Sequence, residues 1–189
     1  TRMAEPIEAA RQRGLSVHLD GARLFNAAGS LGIEPHALVA PVDTVSVCLS
    51  KGLGAPAGSV LVGPSEHITR ARRMRKMLGG GMRQAGVLAA AGLYALDHHI
   101  DRLADDHRRA TELAATIDRH PMLELLGGEA RTNMVWLRPL DDCAARFVDH
   151  LAARGINAGA PGQVMRLVMH LDIGDDALAT LVDAVASFE

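Results

Sequence analysis

The sequence predicts an α/β fold, in which helices cover a mostly parallel sheet and a smaller α+β domain follows. Three observations carry this expectation. Short apolar, β-rich runs at residues 15–19, 45–49 and 59–63 alternate with stretches of helical periodicity, as in a sheet covered on both faces. Two of these runs deliver a reactive group at their carboxyl ends, Asp20 after the first and Lys51 after the second, which is where an open α/β sheet places its ligand. After Pro121 the character changes. Strand-like runs at 122–126, 132–137 and 164–170 are interleaved with helical stretches at 141–154 and 175–188. The expected division is residues 1–120 for the sheet domain with its linking helices and 121–189 for the small domain.

Taken in order, residues 1–13 read as a helix already under way, with Ile7, Ala10 and Arg11 at helical spacing. The first strand, 15–19, alternates so that His18 and Asp20 share a face. His18 either holds Asp20 or is a buried histidine satisfied elsewhere. Residues 24–31 form a short helix ended by Gly32, and Glu34-Pro35-His36 opens a turn or another helix. The second strand, 45–49, is a near-continuous apolar run, and the third, 59–63, stops at Gly63-Pro64. Ser65 is placed to cap a helix that runs to residue 78, with Glu66 in its first turn. Gly79-Gly80-Gly81 breaks that helix; an Ala-rich helix over 84–97 and a longer one over 100–119 follow. Gly155 closes the helix expected at 141–154.

Composition narrows the function classes. The chain has 189 residues, 48% hydrophobic and 22% charged, with a net charge of −2 and only 3% aromatics, so its core is aliphatic. The helix over 65–78 carries Arg70, Arg72, Arg73, Arg75 and Lys76, but no aromatics are interleaved and the whole chain is slightly acidic. A solvated helix face explains this basic run better than a nucleic-acid surface. No stretch reaches transmembrane length, so no membrane partner is expected. Cys48 and Cys143 lack metal spacing and fit a reduced, cytoplasmic setting. His98, His99 and His107 do not share a helix face and have no acid or thiol at ligand spacing, so no metal site is expected.

The chemistry concentrates in Ser50-Lys51-Gly52-Leu53-Gly54-Ala55-Pro56. Lys51 is the one basic residue between positions 44 and 66, at the end of an apolar strand. Desolvation there would disfavour the ammonium and leave a nucleophilic amine able to form a Schiff base with a carbonyl compound, pyridoxal phosphate (PLP) included. The other reading is a loop lysine reaching solvent. Asp20 shifts the balance, because PLP needs a carboxylate to keep its pyridine nitrogen protonated.

Asp20-Gly21-Ala22-Arg23, the Lys51 motif, and Lys76-Met77-Leu78-Gly79-Gly80-Gly81-Met82-Arg83-Gln84 together resemble the L-threonine aldolases, of the fold-type I PLP enzymes. The resemblance runs from about residue 14 to residue 172. It implies the C-terminal part of the mostly parallel PLP-binding sheet domain, then the small α+β domain. It implies retro-aldol cleavage of L-threonine or L-allo-threonine to glycine and acetaldehyde, with Lys51 as the Schiff-base residue and Asp20 on the ring nitrogen. Arg23 would contact cofactor and substrate. Lys76 and Arg83 would lie near the cofactor phosphate or the carboxylate, in their own or a neighbouring subunit's site. Arg166 interrupts the apolar run Met165-Arg166-Leu167-Val168, and in the resemblance it holds the substrate carboxylate; without it, a structural ion pair would be the better reading. A cytoplasmic homo-oligomer, dimer or tetramer, with its site at a subunit interface is implied.

No residue here is a convincing base for the β-hydroxyl proton. In the family the histidines near that hydroxyl, the ring-stacking residue and the phosphate-cradling turn lie in a preceding half, so this chain resembles the second half of a longer protein. Alone it is expected to be poorly soluble or oligomeric and to show no threonine cleavage. Two other readings remain: a β-eliminating PLP lyase on the same Lys/Asp pair, and a truncated, non-catalytic partner.

Overall fold

The computed structural model describes residues 3–159 and 162–189, so the expected helix start at Thr1 lies outside the described residues. The chain forms two compact units, Thr1–Asp101 and Arg102–Glu189.

In the first unit the elements are α1 (Ala4–Arg11), β1 (His18–Asp20), α2 (Leu24–Leu31), α3 (Pro35–Val39), β2 (Thr44–Cys48), β3 (Ser59–Val62), α4 (Ser65–Met77) and α5 (Gly86–His98). Strands β1 and β2 pair in parallel, with Asp20 opposite Ser46, and β3 pairs antiparallel to β2 at the far edge. Alternation along β2 turns Val45 and Val47 onto Leu24, Ala28 and Leu38 of α2 and α3, which make a small aliphatic core. Gly32 closes α2 in the left-handed conformation (φ 64°), and Pro35 opens α3.

The opposite face of β2 is only half-buried. Ser46, Ser59 and Leu61 border an open cleft of about 420 Å³ with Arg72 and Arg75 of α4. No residue of α4 is buried, and Val60, Leu61 and Val62 of β3 are exposed. Covering of the sheet on both faces, expected from the apolar run, is therefore met on one face within the described residues.

The second unit holds α6 (Leu103–Asp118), β4 (Leu123–Leu125), β5 (Met134–Pro139), α7 (Ala144–Ala152), β6 (Met165–Val168) and α8 (Asp175–Ala186). Its sheet is antiparallel throughout, in the order β4-β5-β6. The long helix packs with this unit, although the sequence changes character only after Pro121: Ala110, Leu113 and Ile117 of α6 lie in one core with Val135, Leu137, Phe147, Met165 and Val185. Phe147, Leu113 and Leu137 have no exposed surface.

Candidate functional site

At the carboxyl end of β1, Asp20 accepts a hydrogen bond from the Ala22 N–H (3.1 Å), and the chain turns at Gly21 into α2. Only glycine fits that turn. A Cβ on Gly21 would stand 2.7 Å from Val45 Cγ2 and 3.1 Å from the Ser46 carbonyl oxygen. The close approach lets β1 and β2 carry Asp20 and the Lys51 loop side by side. Asp20 is exposed. His18, on its face, bonds Thr44 Oγ1 (2.9 Å) rather than Asp20.

Beyond β2 the Lys51 loop is pinned from several sides. Leu49 N–H reaches the Gly58 carbonyl (3.0 Å), Ala55 N–H the Leu49 carbonyl (3.0 Å), and Gly54 N–H the Lys51 carbonyl (2.9 Å). Gly54 takes the positive φ (72°) this fold of the backbone needs. Leu49, Leu53 and Ala55 are buried, and His99 beyond α5 meets the Leu53 carbonyl through Nδ1 at 2.6 Å. His99 thus has a structural role, but nothing local in the sequence marks its partner 46 positions away.

The loop is fixed, yet Lys51 itself is exposed. This corrects the expectation of a desolvated lysine: in the described residues the strand beneath it is buried, while the side chain projects from the loop.

Arg23 stands at the start of α2, and its Nε is buried without a hydrogen-bond partner. A buried, unpartnered donor on a cation is costly unless an acceptor arrives. Lys76 lies in the last turn of α4, and Gly81 comes so close that a Cβ there would sit 2.7 Å from Lys76 Cδ. Arg83 is exposed in the loop that follows. Among the described residues neither bonds to Asp20, Arg23 or Lys51.

Arg166 belongs to the second unit, on β6. The expectation of a buried arginine is corrected. Alternation sends Met165 into the core and Arg166 to the outer, exposed face. There it stands opposite Trp136 of β5, with its guanidinium carbon 5.6 Å from the indole centroid. Sequence reasoning did not single out Trp136; the signal was a lone tryptophan at a polar-face position of an alternating strand.

Comparisons with known proteins fall on this framework. A profile of the beta-eliminating lyase family matches residues 1–139, and the chain belongs to that family. It is 42% identical over 177 residues to a low specificity L-threonine aldolase of Escherichia coli K12, covering 94% of this chain and 52% of that protein. It is 48% identical over 130 residues to a probable low-specificity L-threonine aldolase 2 of Arabidopsis thaliana, covering 69% of this chain and 37% of the relative. The crystal structure of a putative L-allo-threonine aldolase from Listeria monocytogenes superposes with a TM-score of 0.83 at 19% identity, over 97% of this chain and 55% of that one. Serine palmitoyltransferase of Sphingomonas wittichii superposes at 0.75 with 17% identity, over 96% and 49%. The resemblance to L-threonine aldolases is borne out, and the α/β fold is that of these enzymes. The chain spans about half the length of the relatives it matches.

Proposed function

We propose that this chain carries the lysine-bearing part of a PLP-dependent L-threonine or L-allo-threonine aldolase, which cleaves its substrate to glycine and acetaldehyde. The observation that carries the reading is the juxtaposition of Asp20 and the pinned Lys51 loop at the carboxyl ends of two parallel strands, with the unpartnered Arg23 Nε at the next turn. A carboxylate, an amine and an orphaned cationic donor are the set that an anionic, pyridine-bearing carbonyl cofactor requires. The relatives' names support the substrate class.

When bound, PLP supplies a sink for the electron pair left as the Cα–Cβ bond breaks. The chain's own residues do the rest. Lys51 Nζ is the attachment amine, presented by a loop too tightly bonded to wander. The Asp20 carboxylate keeps a proton on the ring nitrogen and so maintains the electron demand. Arg23 and Arg166 hold the substrate carboxylate through charge-assisted hydrogen bonds, which fixes which Cα bond is aligned for cleavage.

The assembly is proposed as a cytoplasmic homo-oligomer, dimer or tetramer, with Lys76 and Arg83 serving a neighbouring subunit's anion site. Exposed Met77, Leu78, Val87 and Leu93 give the apolar surface such an interface would bury, and both cysteines are free. No described helix is long and apolar enough to cross a membrane.

Product analysis of the holoenzyme tests the reaction. Acetaldehyde and glycine in equal amounts are expected from threonine. Ammonia with a keto acid would transfer the same Lys/Asp pair to a β-eliminating lyase.

A further inference from the structure

The outer face of the small sheet treats its two arginines differently. Register places Glu124 opposite Arg138 and Trp136 opposite Arg166. Arg138 Nη1 donates to Glu124 Oε2 at 2.8 Å, so an acid occupies its hydrogen-bonding edge. Arg166 has no acid across the ladder. Among the described residues its guanidinium makes no ion pair and no hydrogen bond; it lies over the Trp136 ring, 5.6 Å from the centroid.

The backbone beneath this pair is held firmly. Met165 and Leu137 are fully buried on the core face. At the far end of β6, Asn133 clamps the strand twice: Met169 N–H donates to the Asn133 carbonyl, and Asn133 Nδ2 donates to the Met169 carbonyl, each at 2.8 Å. What remains loose is the arginine side chain, and the indole is the group that restrains it.

We propose that Trp136 is a positioning residue for substrate binding: its indole face holds the Arg166 guanidinium by stacking, so that the in-plane N–H donors are free and pre-aligned for a substrate carboxylate. This rests on the reading of Arg166 as the carboxylate clamp. The geometry of guanidinium explains why an aromatic does this better than an acid. Its five N–H bonds lie in one plane, and its two faces make no hydrogen bonds. A carboxylate neighbour consumes the edge, as Glu124 does for Arg138. A ring engages a face, adds cation–π attraction, and leaves the two-bond fork open. Removing the ring leaves the charge in place but lets the long side chain sample many rotamers, so affinity falls while the chemistry of bound substrate is little altered.

The test is steady-state cleavage by the holoenzyme, together with fluorescence of Trp136, the single tryptophan of the chain. Trp136→Ala is expected to raise KM about two- to fivefold with kcat nearly constant, the range that an exposed cation–π contact corresponds to. Trp136→Phe, which keeps an aromatic face, restores most of the loss. In an Arg166→Ala background, Trp136→Ala adds nothing further. The indole emission, taken as wild type minus Trp136→Phe, changes when amino acid binds, and this change is absent in Arg166→Ala. Should Trp136→Ala fail to fold, the fluorescence response decides alone, since it needs no truncation at 136. A raised KM in Arg166→Ala with an unchanged KM in Trp136→Ala overturns the proposal, as does a Trp136→Ala effect that persists in full without Arg166. An Arg166→Ala variant with unchanged KM overturns the clamp reading itself, and the role of Trp136 falls with it.

Discussion

Gly21→Ala puts one methyl group into a close approach between the turn after β1 and β2. Its Cβ would meet Val45 Cγ2 at 2.7 Å and the Ser46 carbonyl oxygen at 3.1 Å. Gly21 is not among the residues with positive φ, so the cost is steric rather than conformational. The two obstacles differ. The Val45 methyl can move only by leaving its place against Leu24 and Ala28, and the Ser46 carbonyl belongs to the central strand, paired on both sides. Overpacking of this kind costs about 1–3 kcal/mol. For a chain of this size that corresponds to a fall in melting temperature of about 2–4 °C per kcal/mol. Because the turn joins Asp20 to Arg23, PLP affinity should fall as well. Thermal unfolding followed by circular dichroism, with a PLP titration, reads both effects. Val45→Ala removes the methyl at 2.7 Å, so the double variant should recover part of the Gly21→Ala loss. Unchanged stability in Gly21→Ala, or strictly additive losses in the double variant, would refute the steric argument.

Two further predictions concern the second unit. Asp106 is fully buried between Arg102 and Arg109, so Asp106→Ala removes a buried acceptor from both and should destabilise the unit by about 1–3 kcal/mol in chemical denaturation, while Arg109 keeps its bond to Asp175. Asp175, at the start of α8, accepts from Arg109 Nε at 2.8 Å and from Arg108 Nη2 at 2.5 Å, and the Arg109 bond above all lowers its pKa to about 2. A depressed carboxylate stabilises the fold above its unfolded pKa of 3.8 and loses that contribution as pH falls towards 2. Acid unfolding of wild type should therefore steepen between these values, Asp175→Asn should abolish that component, and an identical acid transition in both proteins would contradict it.

Local signals in the sequence carried much of this fold. The helix over 24–31 is found at those bounds, because Gly32 supplies the left-handed stop that ends it. The first strand is shorter than its apolar run suggests. Leu15 N–H closes the end of α1 on the Ala10 carbonyl, and Val17 exchanges hydrogen bonds with Asp43 (2.7 Å to its carboxylate), so regular pairing begins only at His18. Asp20 and Lys51 were legible because their chemistry follows apolar runs directly in the chain.

Cross-strand and long-range partners were not legible. Met165-Arg166-Leu167-Val168 reads as a buried strand with an intruding charge, and only pairing with β5 shows that Arg166 and Val168 share the outer face. The same holds for Trp136 beneath Arg166, for His99 on the Leu53 carbonyl, and for the stranded Nε of Arg23: each depends on a partner that sequence spacing does not reveal.

The attachment of PLP to Lys51 is the claim on which the functional account turns. Lys51 and Lys76 are the two lysines of this sequence, so within it the assignment is a choice between two peptides. Borohydride reduction of the holoenzyme, followed by proteolysis and mass mapping, should place the cofactor-derived mass on the peptide bearing Lys51, and Lys51→Ala should eliminate it. An adduct on Lys76, or one that survives in Lys51→Ala, would contradict the account.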